Sequence, residues 1–220
     1  MIDPQHPDYV DRELALHELG HALAYALDQD VSEVLIIRKP APPGDHSCTC
    51  VTTAIVAGEP SPMTPVIIIA GAAATCLLDD RIPMPQAELL KLGRRIIDLA
   101  AAIGVAEFDR DMLDKMDLTD AELDQAARFA LLAVIAYRAR LEALAPKVMA
   151  RLNGGANDYR LAASELAGGD LDLLLQLSQF PQLFDDEMSV RNMIDAARQV
   201  QPKAPQTSAP RAEPIPELSP

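Results

Sequence analysis

Tryptophan is absent and aromatic residues make up only 4% of the 220-residue chain, so large rings cannot build its core. Leu, Ile, Val, Ala and Met must do so, and that mixture favours helices. Basic residues are outnumbered: 19 Lys and Arg against 33 Asp and Glu leave a formal charge of −14, a field that repels phosphate backbones and anionic lipid. Nucleic acid and membrane surfaces are therefore not expected as partners. Long apolar runs are missing too. The strongest, Val66 to Leu78, contains Gly71 and Thr75 and falls short of the roughly 20 residues that span a bilayer. Cysteine is scarce: Cys48, Cys50 and Cys76 are an odd number in a chain too large to need a disulfide framework. The N-terminal MIDPQHPDYV lacks the basic and apolar regions of a signal peptide, and the expectation is a soluble protein of the reducing cytoplasm.

With 49% hydrophobic and 24% charged residues, the composition is that of a globular protein. Three stretches separate: a dense part over residues 1–155, a helical extension over 156–200, and a tail over 201–220. Prolines 202, 205, 210, 214, 216 and 220 and a shortage of large apolar residues leave that tail unable to fold alone.

Two apolar stripes, one through Leu16, Leu23 and Leu27 and another through Val10, Leu14 and Ala24, predict a buried helix from Asp8 or Asp11 to Leu27. Val34 to Arg38 reads as a strand and His46 to Thr53 as its return, with Lys39 to Asp45 between them. Helices are expected over Met63–Leu78 and Gln86–Ile103. Thr119 with Glu122 forms a capping box that opens a long helix, bent at Pro146 and ended by Asn153-Gly154-Gly155. Further helices are expected over Asp158–Leu166, Asp170–Phe180 and Asp186–Val200. The fold class is mainly α with a small β-hairpin.

Within the first helix lies His17-Glu18-Leu19-Gly20-His21, an H-E-x-x-H motif. Residues four apart share one face of a helix, so the two imidazoles can converge on a single zinc ion. Glu18 is one step round and can take a proton from a water at the metal. A chance match is expected only about once in 250 chains of this composition. A carboxylate between two histidines would also be costly to bury without a metal or a solvent-filled cleft. Gly20 costs about 1 kcal/mol relative to alanine in a helix interior, which suggests close approach of another backbone. His46, Cys48 and Cys50 alternate along the returning strand, too splayed for one metal and without a visible fourth ligand, and are expected to be ordinary strand residues. Cys76 is expected in the core.

The run LALHELGHALAYAL, then VSEVLIIR and its hairpin, then IIIAGAAATCLLDD, resembles the zinc peptidase domain of the FtsH protease family. Tyr137 to Leu152 is similar to that domain's closing helix, so the resemblance spans about Asp11 to Leu152. It implies a zincin-like helical peptidase fold and a third ligand, an aspartate, in the first turn of a helix after the one opening Gly-Arg-Ala-Ala-Glu-Glu. Here Gly71 is followed by Ala72-Ala73-Ala74-Thr75, without the Arg and paired Glu, and no Asn-Asp-Leu marks the ligand. Laying Gly71 on the family's glycine with a one-residue deletion puts Glu88 at the ligand position. Asp79 and Asp80 compete for the role, and Asp98 is a further alternative.

The expected function is therefore a zinc endopeptidase: His17, His21 and Glu88 hold Zn2+, and Glu18 is the general base. No G-x-x-x-x-G-K-[ST] occurs, so any unfolding motor is a separate ATPase. That partner, or another protein, would dock on the C-terminal helices and tail, and an oligomer is compatible with the sequence. Without a motor, the substrates implied are peptides and flexible protein segments, which could add as a strand to the hairpin edge. The alternative is a degenerate metallopeptidase relative that acts as a metal-stabilised interaction or assembly protein. The intact Glu18 argues against it, since a structural zinc needs no base.

Overall fold

In the computed structural model, which describes residues 9–27, 31–39, 49–56, 63–78, 88, 91–102, 106–168, 171–179 and 192, Asp11 opens the first helix. Its carboxylate accepts the Leu14 N–H at 2.8 Å, satisfying one of the donors that a helix start leaves free. Helix α1 (Arg12–Leu27) is buried on nearly every side, as its two apolar stripes predict. Helix α2 (Thr64–Leu78) is buried continuously from Val66 onward. The two helices pack directly on each other, and Gly20 is the reason that they can come so close. A Cβ at Gly20 would lie 2.2 Å from the Ala70 carbonyl oxygen and 2.8 Å from the Ala74 Cβ. The backbone approach expected at this glycine is thus present.

The strands β1 (Val31–Lys39) and β2 (Thr49–Val56) pair antiparallel, with Ile36 opposite Thr52. A third strand, β3 (Asp158–Ala162), pairs antiparallel on the other side of β1, so the sheet order is β2-β1-β3. The molecule is therefore mainly helical with one small antiparallel sheet, wider by one strand than the expected hairpin. The helix expected over Asp158–Leu166 is corrected here: only Ala163–Leu166, the short helix α6, is helical. Leu161 sits opposite Val34 and is buried with it, so pairing with the otherwise open edge of β1 outweighs local helix preference. Strand β3 lies beyond the expected boundary at 155/156 and pairs with β1, which lies before it.

Helix α3 (Arg95–Ala102) is shorter than the expected Gln86–Ile103. Gly93, with φ +53°, turns the chain just before it, and the Arg94 N–H is held by Asp124 Oδ1 at 3.1 Å. Helix α4 (Glu107–Leu113) lies where no element was expected. Helix α5 (Asp120–Asn153) opens with the predicted capping box, Thr119 N–H donating to Glu122 Oε2 at 2.8 Å, and carries Pro146 within it. It ends at Gly154, followed by Gly155 with φ +96°. Helix α5 lies against α1 and α2, and helix α7 (Leu171–Ser178) packs on α5. The segments 186–200 and 201–220, apart from residue 192, lie outside the described residues, as do Asp79 and Asp80.

Among the described residues, no helix is long and apolar enough to cross a membrane.

Candidate metal centre

Helical spacing brings His17 and His21 together as the sequence predicts: their rings meet edge to face at 4.5 Å, with the two Nε2 atoms 3.0 Å apart. Both side chains are buried. Each ring is held from behind. His21 Nδ1 lies 2.7 Å from the Ile67 carbonyl oxygen, which can only accept, so Nδ1 carries a proton and Nε2 is the nitrogen that takes up a further proton or a metal. Thr75 donates its hydroxyl proton to the Gly71 carbonyl at 3.1 Å, which leaves a lone pair on Oγ1 facing His17 Nδ1 at 3.4 Å. His17 Nε2 is thereby the ring nitrogen turned toward the site.

The carboxylate that joins them is Asp109 of α4. Its Oδ2 lies 3.0 Å from His17 Nε2 and 3.2 Å from His21 Nε2. That oxygen is buried and takes no directed hydrogen bond from a described residue. Two nitrogen lone pairs and a carboxylate oxygen facing one another at such distances repel unless a cation lies among them. His17, His21 and Asp109 could hold a metal ion there.

The electrostatics carry the same message. Burial opposes charge on His21, but the facing Asp109 carboxylate, then Glu18 and the Ile67 carbonyl, outweigh it, and the pKa is raised to about 9. Burial pushes Asp109 upward, yet the two imidazoles hold it well below the usual carboxylate range. The cluster thus binds positive charge tightly in a place where isolated charge is costly.

Glu88, expected as the third ligand, is instead an exposed residue, and it is not among the residues gathered at the two imidazoles. The one-residue deletion assumed after Gly71 picks a position earlier in the chain than the carboxylate that the structure gathers with the two imidazoles. The turn at Gly93 and the whole of α3 intervene before the chain returns to the histidines with Asp109. Asp98 is exposed on α3. The signal for Asp109 lies in its neighbours: Ala106, Asp109 and Leu113 fall at i, i+3 and i+7, one helical face, and all are buried. A carboxylate inside an apolar stripe is the anomaly that marks the position.

Gly71 makes room for the rings. A Cβ there would come within 2.5 Å of His21 Nε2 and 2.8 Å of His17 Cε1. Glu18, next to His17, is buried, and its carboxylate Oε2 accepts a hydrogen bond from Thr52 of β2 at 2.5 Å. His46 and Cys48 lie outside the described residues, and Cys50 pairs with Arg38 in the ladder. Cys76 is buried in the core, as expected. Comparison with models of known families, with curated proteins and with solved structures gives no match to this chain.

Proposed function

We propose that this chain is a zinc-dependent endopeptidase that hydrolyses peptide bonds in flexible protein segments. The observation that carries the reading is the convergence of His17 Nε2, His21 Nε2 and the hydrogen-bond-deprived Asp109 Oδ2 beside the buried carboxylate of Glu18. A tetrahedral zinc centre with bonds of about 2.0–2.2 Å spaces its donors about 3.3 Å apart. The observed separations of 3.0, 3.0 and 3.2 Å are close to that spacing. Two imidazoles and a carboxylate are also a donor set typical of a catalytic zinc, which keeps a position open. The resemblance of the H-E-x-x-H helix and its following segments to the FtsH peptidase domain points the same way.

His17, His21 and Asp109 would hold the metal. When bound, zinc supplies a Lewis acid that polarises the scissile carbonyl and makes water acidic enough to react near neutral pH. Glu18 accepts the proton from the attacking water and returns it to the leaving amine. Ile67 and Thr75 fix the tautomers, so that both imidazoles present Nε2 to the site. Among the described residues β2 pairs only with β1, and its outer edge can take an extended peptide as an added strand. The carboxylate-rich surface, with a net charge of −14, favours basic or neutral segments over acidic ones. Folded substrates would have to be unfolded before a segment could reach the site.

The test is cleavage of casein or a peptide library by wild type and by Glu18→Gln, with zinc content measured in both. Glu18→Gln should stay zinc-loaded and lose about a hundredfold to ten-thousandfold in rate. Equal cleavage by both proteins assigns the activity to another site or a contaminant. A wild type that cleaves nothing, even with candidate ATPases added, puts the metal-stabilised assembly protein in place of the peptidase.

A further inference from the structure

Helix α1 fixes the backbone of Glu18, but a glutamate has several rotatable bonds beyond it and the helix alone does not aim the carboxylate. A group from another element does. The hydroxyl of Thr52 lies 2.5 Å from Glu18 Oε2 and 3.0 Å from the backbone carbonyl oxygen of the same residue. The shorter contact falls in the range of charge-assisted O–H···O⁻ bonds, about 2.5–2.7 Å. The hydroxyl has one proton and two acceptors within reach, and the carboxylate oxygen is the nearer of them. The longer contact, to a rigid helix carbonyl, marks how closely β2 is seated on α1 at this point. Thr52 is itself well anchored. It stands opposite Ile36, a fully buried residue of the central strand, and its branched side chain has little rotamer freedom.

We infer that Thr52 is a positioning residue for the general base: it clamps Oε2 of Glu18 and so leaves Oε1 as the oxygen that receives the proton of the attacking water. The role rests on the peptidase reading above. It has a consequence for how substrate and base are aligned. Thr52 belongs to β2, whose outer edge has no partner strand among the described residues and would take an extended peptide, so one strand sets the position of both. A peptide added to β2 would then arrive in fixed register with the carboxylate that serves it.

The experiment uses the full zinc-loaded chain. Thr52→Val keeps the shape of the side chain and removes the hydroxyl, and kcat on a cleavable peptide should fall about ten- to hundredfold, with KM and zinc content unchanged. Thr52→Ser restores the hydroxyl and should recover most of kcat. A crystal structure of Thr52→Val should show the Glu18 carboxylate displaced while His17, His21 and Asp109 keep their places. Wild-type kcat in Thr52→Val overturns the inference and leaves the peptidase reading intact. So does an equal loss in Thr52→Val and Thr52→Ser, which would make the effect one of packing. If wild type has no activity that Glu18→Gln removes, the peptidase reading falls and takes the catalytic role of Thr52 with it. An unmoved Glu18 carboxylate in the Thr52→Val crystal overturns the clamp in either case.

Discussion

Gly71 of α2 lies against His21 so closely that a single added methyl would stand 2.5 Å from the imidazole Nε2. The same methyl would be 2.6 Å from His21 Cε1 and 2.8 Å from His17 Cε1. Both rings are pinned at Nδ1, so neither can swing aside without breaking its bond to Ile67 or its contact with Thr75. Overpacking of this kind typically costs about 1–3 kcal/mol. Gly71→Ala should therefore lower stability by that order, read by urea denaturation. It should also weaken zinc binding at least about tenfold, because the displaced rings no longer converge. Unchanged zinc affinity would mean that the rings tolerate the methyl and that Gly71 is not what shapes the site.

Asp109 and Glu88 make opposite predictions. Asp109→Ala removes a side chain that lies within 3.2 Å of both imidazoles, so most of the bound zinc should be lost, as measured by metal analysis after gel filtration. Glu88 is exposed, and Glu88→Ala should retain zinc like wild type. The reverse ranking would place the third ligand back in the segment after α2 and make the Asp109 contact incidental.

Where local signals suffice, the chain was readable. The stripes of α1, the short apolar run of β1, the apolar run of α2 and the Thr119–Glu122 box of α5 are decided by residues within a turn or two of each other, and all four elements are present. The elements that escaped depend on distant partners. β3 is a strand because β1 offers it an edge, and nothing within Asp158–Ala162 announces that edge. Helix α4 is short and half charged, and what holds it is the burial of Asp109 and Leu113 against elements formed much earlier in the chain. The two histidines and Glu18 were legible for the same reason as α1, since their spacing is that of the helix itself. The carboxylate that the structure gathers with them, Asp109, was not, because counting residues from Gly71 assumes a loop length, and the turn at Gly93 followed by α3 lengthens the path.

Thr75 supports His17 from behind. Its hydroxyl proton goes to the Gly71 carbonyl at 3.1 Å, and its lone pair faces His17 Nδ1 at 3.4 Å. Thr75→Val is nearly the same size but leaves that Nδ1–H without an acceptor, which loosens both tautomer and ring orientation. Zinc affinity should fall about 10–100-fold in a competition titration with a chromogenic chelator. Thr75→Ser should bind like wild type. If valine and serine behave alike, the hydroxyl plays no part and the residue is only packing.

Removal of the metal should leave a distinct pH signature. In the zinc-free protein, burial opposes the His21 charge but the Asp109 carboxylate overrides it, raising the pKa from 6.5 to about 9. A group whose pKa is raised on folding binds its proton more tightly in the folded state. Its contribution to stability is complete below the unfolded value and is lost as pH rises through the folded value. Asp109 is shifted the other way, so its contribution is present above the ordinary carboxylate range and is lost on acidification. Chelator-treated protein should therefore lose thermal stability between about pH 6.5 and about pH 9. Zinc and that proton compete for the same lone pairs, so zinc affinity should rise across the same interval. Loaded and chelated melting curves should then diverge with increasing pH. His21→Gln, which has no titrating ring at this position, should show no such loss in its chelated form. Chelated wild type and His21→Gln with the same pH dependence would show that the pair of His21 with Asp109 stores no proton-linked stability, and would remove the electrostatic argument for a cation at this site.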